Sequence, residues 1–434
     1  MSGICAKKVG RQETICRSDI AKRNGLQLTL VCTYAVSDIS CLIGFAKRSH
    51  IHSKRLNIAY LTVNDPRDRR SWSGTEFAMA KALERHCGNV HFIGPIRLKS
   101  ILIGKVIHRL LKRIAGKTFL YTESVSRRIA VIARDRISKV PCDVIFSPAG
   151  SACLANLDVS IPIVYLSDAT FRLVADYYPE FTSILESHKK TADGFERASI
   201  QKAQQLVYPS TWAANSAIQD YNADPNRVHV IPFGANLEDP PEASHAIAVP
   251  PTDRCRLLFV GGHWQRKGGE IAFETFQELI DRGVQAELTI VGCTPPDHVG
   301  HANVRVFPFL NKNDSQQREQ LLRLYREAHF FVLPSRAECF SIALCEANAF
   351  GLPVLTSDTG GLPDLVKVGV NGFLFPLEAR GDQYAARIYD VFSNSSQYAA
   401  LRAASRAEFD ARLNWDHWGA KMLVVLQRAV GITT

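Results

Sequence analysis

From residue 56 onward the chain alternates between short apolar runs and longer stretches in which apolar side chains recur every three to four residues. Runs of three to seven residues predict strands at 56–62, 90–93, 144–146, 163–166, 205–208 and 228–231. Helical periodicity predicts helices at 76–86, 124–137, 195–204 and 211–220 between them. The pattern stops at 237–253 (LEDPPEASHAIAVPPTD), which holds two proline pairs and no periodic face and reads as an interdomain linker. It then restarts. Strands are predicted at 257–260, 286–291, 304–307, 330–333 and 353–356. Helices are predicted at 269–282, 314–328, 341–350, 385–394, 397–409 and 415–430. Strands separated by helices imply parallel sheets, so the reading is α/β, with two Rossmann-like domains in tandem. Sheets of this kind bind ligands beyond the carboxyl ends of their strands, which puts the expected site in the cleft between the domains.

Charge changes this picture at two places. The chain of 434 residues has 52 Lys and Arg against 42 Asp and Glu, a net charge of +10. Residues 1–55 account for +7 and residues 97–139 for +10, which leaves the rest acidic at −7. A nucleic-acid coat would be uniformly basic, so no nucleic-acid partner is expected. Residues 26–46 are fairly apolar and flanked by Lys22-Arg23 and Lys47-Arg48, but Asp38 and four hydroxyl residues interrupt them. A central Asp costs roughly 2.5–3.5 kcal/mol on insertion scales. The lead-in is therefore read as a poorly ordered extension or an over-long gene start rather than an anchor. Residues 101–117 read as an amphipathic helix with a cationic face, docked on the core, lying against an anionic membrane surface or holding an anionic acceptor. A cytoplasmic location, peripheral at the inner membrane face, is expected. The 11 Cys are scattered with no C-x-x-C pair, which argues against a zinc module or a disulfide framework.

Three segments carry chemistry. The first is 335–364 (SRAECFSIALCEANAFGLPVLTSDTGGLPD), with Glu338 after a strand and Glu346 inside the next helix. Ser341 can cap that helix, leaving the N–H groups of Phe340, Ser341 and Ile342 facing outward as an anion site. The second is 257–269 (LLFVGGHWQRKGG), in which Gly261, Gly262 and Gly268-Gly269 permit close backbone approach to a phosphate. Arg266 and Lys267 can neutralise a diphosphate there. The third is 71–75 (SWSGT), a loop between strand and helix in which Gly74 faces a ligand, or in which Ser73 or Thr75 caps the helix.

Taken in this order, the segments resemble the retaining glycosyltransferases of family 4, which have the two-domain GT-B fold. The resemblance covers residue 56 to the C-terminus. It includes the E-x7-E element at Glu338 and Glu346, the phosphate-binding Lys at Lys267, the turn Asn371-Gly372-Phe373, the 230–235 segment (VIPFGA) and the start of a final helix at 413–418. The resemblance implies an acceptor-side domain at 56–236 and a nucleotide-sugar-binding domain at 254–412. It also implies a helix at 413–434 crossing back to the first domain. By the same resemblance Glu346 holds ribose hydroxyls and Glu338 contacts the donor sugar. Lys267 and the N–H groups of 340–342 hold the diphosphate. The partners implied are a nucleotide sugar and a carbohydrate or lipid-linked acceptor. No D-x-D occurs, and neither a cofactor nor a metal is expected.

The chain also departs from the family. His263 follows Gly262 where many members have Arg, and Ser167-Asp168 stands where many have a His. Asp168 either positions or deprotonates an acceptor hydroxyl, or caps the next helix. Tyr165, Phe171, Tyr177 and Tyr178 can stack on a sugar or pack in the core. The leading reading is a retaining glycosyltransferase acting in cell-surface polysaccharide or glycolipid synthesis. The alternatives are a nucleotide-sugar epimerase, a phosphorylase and a non-catalytic nucleotide- or carbohydrate-binding module.

Overall fold

A computed structural model of the chain describes residues 55–98, 110 and 121–432. The expectations for the lead-in up to residue 54, and for 101–117 apart from Leu110, lie outside the described residues. The first sheet contains β1 (Leu56–Tyr60), β2 (Gly88–Phe92), β3 (Val144–Pro148), β4 (Ile163–Leu166), β5 (Gln205–Tyr208) and β6 (Val228–Val230). The second contains β7 (Cys255–Val260), β8 (Ala286–Val291), β9 (Val304–Phe307), β10 (Phe330–Leu333), β11 (Val354–Ser357) and β12 (Gly372–Phe375). The helices are α1 (Thr75–His86), α2 (Glu123–Ile137), α3 (Glu186–Lys202), α4 (Thr211–Tyr221), α5 (Gly269–Asp281), α6 (Ser315–Glu327), α7 (Ile342–Ala349), α8 (Gly381–Phe392), α9 (Ser395–Arg412) and α10 (Trp415–Ala429), with several single turns besides.

The strand orders are β2-β1-β3-β4-β5-β6 and β12-β11-β10-β7-β8-β9, and neighbours pair in parallel. Strands covered on both faces need apolar side chains at nearly every position, and β10 (FFVL) and β3 (VIFSP) are buried throughout. In the second sheet the strand order reverses between β7 and β10. That is where a doubly wound sheet opens a crevice, and the loops leaving these two strands carry Lys267 and Glu338.

Four features differ from the sequence expectations. β12 begins at Gly372, inside the expected turn. The pairing requires a glycine there, since a Cβ on Gly372 would lie 2.1 Å from the Val354 carbonyl oxygen. α3 starts nine residues before the expected helix, because its first turns (ESHKKTADG) carry no apolar stripe for a periodicity argument to find. The 237–253 stretch contains a short helix, Ala243–Ile247, whose Ala246 carbonyl accepts a 2.6 Å hydrogen bond from the buried Arg402. Neither Ser341 nor Ser73 caps a helix. Ser341 occupies the N-cap of α7 without a side-chain cap bond, and the N-cap of α1 is Gly74.

α10 returns to the first sheet, packing on α1, β4 and β5, with Trp418 edge-on to Phe146 at 6.2 Å. Phe233 stacks on Trp415 at 6.1 Å and meets Phe340 edge-on at 5.1 Å, so one aromatic cluster joins the end of the first domain to the glutamate segment of the second. Gly234 belongs to this junction, since a Cβ there would lie 2.4 Å from the Trp415 nitrogen. The seven described cysteines are all unpaired.

Under the first sheet Glu196 is buried, and both its oxygens accept from the Tyr165 hydroxyl at 3.0–3.1 Å. Burial pushes its carboxyl up to about 8, against the hydrogen bonds from Tyr165 and Ser151. The folded state therefore holds this proton more tightly than the unfolded chain. The stability it contributes is complete below the unfolded value of 4.5 and is lost as pH rises to about 8. Glu196→Gln keeps an acceptor for Tyr165 and cannot ionise. Urea unfolding at pH 4.5 and pH 8.5 should show the variant gaining on the wild type by on the order of 4 kcal/mol across that interval. Parallel pH profiles for the two proteins would refute this account of Glu196.

Candidate active site

Two glutamates eight residues apart, one in a loop and one a turn into the helix that follows, organise the site. Glu338 lies in the loop leaving β10 and is 4% exposed; Glu346 lies on α7 and is 2% exposed. A carboxylate this deeply buried needs partners, and each has them. Glu338 Oε2 accepts from the Lys267 ammonium, with the Arg266 guanidinium at 3.9 Å. Its Oε1 accepts from the Tyr178 hydroxyl at 3.4 Å. Glu346 Oε1 accepts from Lys312 Nζ at 2.6 Å and Oε2 from the Tyr325 hydroxyl at 3.0 Å.

Lys267 reaches Glu338 because β7 ends at Val260 and the chain turns through 261–268 into α5. The glycines of this turn have different causes. Gly268 has φ +71°, and a Cβ there would lie 1.9 Å from the Pro334 carbonyl oxygen; one on Gly269 would strike the Trp264 ring at 2.2 Å. These two are demanded by packing, a correction to their reading as a phosphate approach. A Cβ on Gly261 would press on the Lys267 stem at 2.9 Å, whereas at Gly262 the nearest atom is 4.0 Å away and the backbone lies open. Arg266 lays its guanidinium over the Tyr178 ring, 4.6 Å from the centroid, and donates to the Ala337 carbonyl at 3.0 Å.

Beyond Glu338 the chain enters α7. The N–H groups of Glu338 and Cys339 donate to the hydroxyls of Tyr177 (2.9 Å) and Tyr178 (2.7 Å). Those of Phe340, Ser341 and Ile342 make no backbone hydrogen bond among the described residues, and the Ser341 hydroxyl is buried without a partner. Three such donors at the head of a helix favour an anion. The Thr359-Gly360-Gly361 loop closes beside them. Gly361 donates to the Glu338 carbonyl at 3.2 Å, and a Cβ on Gly360 (φ +56°) would lie 2.0 Å from that same oxygen.

The first domain contributes Asp168, from the loop after β4. It is half-buried and caps no helix, because the N-cap of the turn Phe171–Val174 is Thr170. Burial raises its carboxyl to about 6; hydrogen bonds from its own N–H, Ala169 and the Trp72 side chain oppose this, while the charge of Glu338 adds to it. Asp168 thus belongs to the Glu338 cluster rather than to a helix end. Trp72, Ser73 and Gly74 all have positive φ (46°, 57° and 89°), an unusual run for the non-glycine pair. Asn236 holds this turn by donating to the Ser73 carbonyl at 2.9 Å, and Trp415 Nε1 donates to Asn236 at 3.1 Å. Gly74 and Glu346 line one cleft of about 730 Å³, together with Lys312 and Arg318.

Of the residues singled out in the sequence, the structure gathers Glu338, Lys267, Arg266 and Asp168 at one end of α7. It places Glu346, one turn into α7, on the cleft with Gly74. Tyr165 and Phe171 are buried in the first domain. Lys312, Tyr325, Trp72 and Asn236 were not found by sequence reasoning, since each acts through a partner 21 to 179 residues distant that no local pattern encodes. No group of three or more His, Cys, Asp or Glu able to hold a metal ion occurs among the described residues.

This geometry can be set beside known proteins. Residues 254–394 match the family described as Glycosyl transferases group 1. The chain superposes on a glycosyltransferase from Rickettsia africae (TM-score 0.59, 14% identity, 88% of this chain and 100% of that one). It also superposes on a sucrose-phosphate synthase from Thermosynechococcus elongatus (TM-score 0.62, 18% identity, 87% and 100%). The chain has the GT-B fold, and its residues 254–394 are similar to the group 1 glycosyl transferases. Curated relatives include the D-inositol 3-phosphate glycosyltransferase of Mycolicibacterium smegmatis, 30% identical over 249 residues, with 54% of this chain and 55% of the relative covered. A protein of the same name in Catenulispora acidiphila is 29% identical over 253 residues, covering 54% and 60%. The chain spans about half the length of the curated relatives it matches. The matched segment contains Lys267, Lys312, Glu338 and Glu346, and the α5 and α7 that position them. No helix among the described residues is long and apolar enough to cross a membrane.

Proposed function

We propose that the chain is a retaining glycosyltransferase of family 4 that moves a sugar from a nucleoside-diphosphate sugar to a carbohydrate or lipid-linked acceptor. The observation that carries this reading is the alignment along α7. A buried carboxylate on the cleft (Glu346) and a buried carboxylate–ammonium pair (Glu338–Lys267) flank a helix start with three uncommitted N–H groups. A nucleotide sugar has the matching order of ribose hydroxyls, diphosphate and sugar hydroxyls.

Breaking the bond between the anomeric carbon and the phosphate oxygen builds negative charge on the diphosphate. Fixed N–H donors and Lys267 stabilise that charge without reorganising. The acceptor oxygen bonds to the anomeric carbon on the face the phosphate leaves, and its proton passes to the departing phosphate oxygen. Asp168, on the first-domain side of Glu338, orients the acceptor hydroxyl. The relatives' names contain an inositol phosphate acceptor, and such an acceptor is one member of the proposed class. The family match lies within the second domain, so it supports the donor half of this reading more than the acceptor half. A role in cell-surface polysaccharide or glycolipid synthesis, with peripheral contact through the basic stretch 101–117, follows from the lipid-linked acceptor.

The test is release of nucleoside diphosphate from UDP-glucose, GDP-mannose and ADP-glucose, with EDTA present, in the presence and absence of a panel of sugar and inositol phosphate acceptors. Acceptor-dependent release from one donor, with the anomeric configuration kept in the product, is expected. Donor epimerisation without acceptor would replace this reading with an epimerase. Nucleotide binding with no turnover would replace it with a binding module.

A further inference from the structure

Tyr177 and Tyr178 are half-buried and do not pack in the core of the first domain. They project from the first domain and seat their hydroxyls on the second domain, at the backbone of Glu338 and Cys339. The Tyr177 hydroxyl accepts from Glu338 N–H (2.9 Å) and shares a 3.0 Å hydrogen bond with the Thr359 hydroxyl. The Tyr178 hydroxyl accepts from Cys339 N–H (2.7 Å) and points its own hydrogen at Glu338 Oε1 (3.4 Å). Proton counting is satisfied: each phenol takes one N–H and still has a hydrogen for an oxygen. Burial raises the phenol of each, Tyr178 the more strongly, so both remain neutral donors across the ordinary pH range. The rings stack on one another at 5.4 Å, with Arg266 covering Tyr178 and Trp212 against Tyr177.

We propose that residues 176–183 form a latch that closes the cleft by occupying the Glu338 and Cys339 donors, and that the sugar of the donor must displace it. The second half rests on the function proposed above. Two observations beyond the hydrogen bonds support a moving part. The tyrosines' segment is bracketed by Asp176 (φ +62°) and Ser183 (φ +53°), non-glycine residues in the left-handed region, which is where strain gathers at hinges. Its outer end carries an exposed ion pair, Lys189 to Asp176 at 2.7 Å. The steric argument is direct. A sugar whose diphosphate sits on the N–H groups of 340–342 and whose hydroxyls reach Glu338 needs the volume that the Tyr178 hydroxyl fills. A backbone N–H cannot give a full hydrogen bond to both.

The first test needs no ligand. Hydrogen exchange at the Glu338 and Cys339 amides is measured on the full chain, wild type against Y177F/Y178F, which keeps the rings and their stacking. The latch predicts protected amides in the wild type and exchange at least about tenfold faster in the double variant. Thr359→Val, which removes only the second partner of Tyr177, should give a smaller acceleration, confined to Glu338. Equal exchange in wild type and double variant would overturn the latch whatever the enzyme does. The second test titrates UDP, GDP and ADP and the corresponding UDP-glucose, GDP-mannose and ADP-glucose into both proteins. Displacement predicts several-fold tighter binding of the intact nucleotide sugar by Y177F/Y178F, with the free nucleotide unchanged. Weaker binding of the nucleotide sugar would make the tyrosines sugar ligands and overturn displacement. Binding of no nucleotide by either protein would refute the proposed function and with it displacement, while the exchange experiment would still decide the latch.

Discussion

Lys267→Met is expected to unfold more easily and to lose sugar transfer, and only the first loss should be recoverable. Glu338 is 4% exposed and its carboxylate is neutralised chiefly by Lys267. Removing one partner of a buried pair leaves the other uncompensated, at a cost of about 3–5 kcal/mol. Here Arg266 at 3.9 Å and the Tyr178 hydroxyl remain, so the lower end of that range, about 3 kcal/mol, is expected. Adding Glu338→Gln removes the stranded charge, and the double variant should regain most of that stability. Activity should behave otherwise. Loss of one preorganised group at a developing charge costs about 10²–10³ in turnover, and Glu338→Gln restores nothing to the diphosphate. Urea midpoints and acceptor-dependent nucleotide release on the same preparations decide the matter. A double variant with wild-type turnover would remove Lys267 from the chemistry, and a single variant as stable as wild type would show that the pair is not buried in solution.

Glu346→Ala should abolish measurable nucleotide binding, whereas Glu346→Gln should weaken it. A carboxylate has about four lone-pair positions, and Lys312 and Tyr325 take two. The two left are enough for a pair of vicinal ribose hydroxyls. Hydrogen bonds to a charged group are worth about 1.5–3 kcal/mol each, so losing both lowers affinity by on the order of 10²-fold or more. The Tyr325 hydroxyl is fully buried, and truncation to Ala also leaves it without an acceptor, at about 1–3 kcal/mol of stability. Gln retains an acceptor for Tyr325 and loses only the charge, so a near-wild-type midpoint and roughly tenfold weaker binding are expected. Calorimetric titration of UDP, GDP and ADP into the three proteins, with EDTA present, measures both and names the base. Unchanged affinity in Glu346→Ala would place the nucleotide elsewhere.

The candidate site was partly legible along the chain because part of it is local. Glu338 and Glu346 are eight residues apart on one strand–loop–helix unit, and Lys267 lies in one turn between β7 and α5. Spacing and the glycines around them therefore mark them out. What those residues touch was not legible. Lys267 and Glu338 are 71 positions apart, and Tyr178 is 160 positions from Glu338. A sequence window also assigned the same cause to every glycine of 261–269, although only Gly262 proves sterically open.

By itself the sequence determined the two sheets, nearly all their strands and the order of the helices. Parallel strands buried on both faces must be written as apolar runs, and helices that cover them must repeat every 3.6 residues. It failed at β12 and at the first half of α3, where the pattern is absent because a glycine or a solvent-facing surface serves instead. Only the tertiary structure decided that Lys267 pairs with Glu338, that Lys312 and Tyr325 hold Glu346, and that two tyrosines of the first domain bond the backbone of the second. The reason is physical. Periodicity reports which face of an element is buried, whereas a hydrogen bond or ion pair depends on which loops the fold brings within about 3 Å of each other.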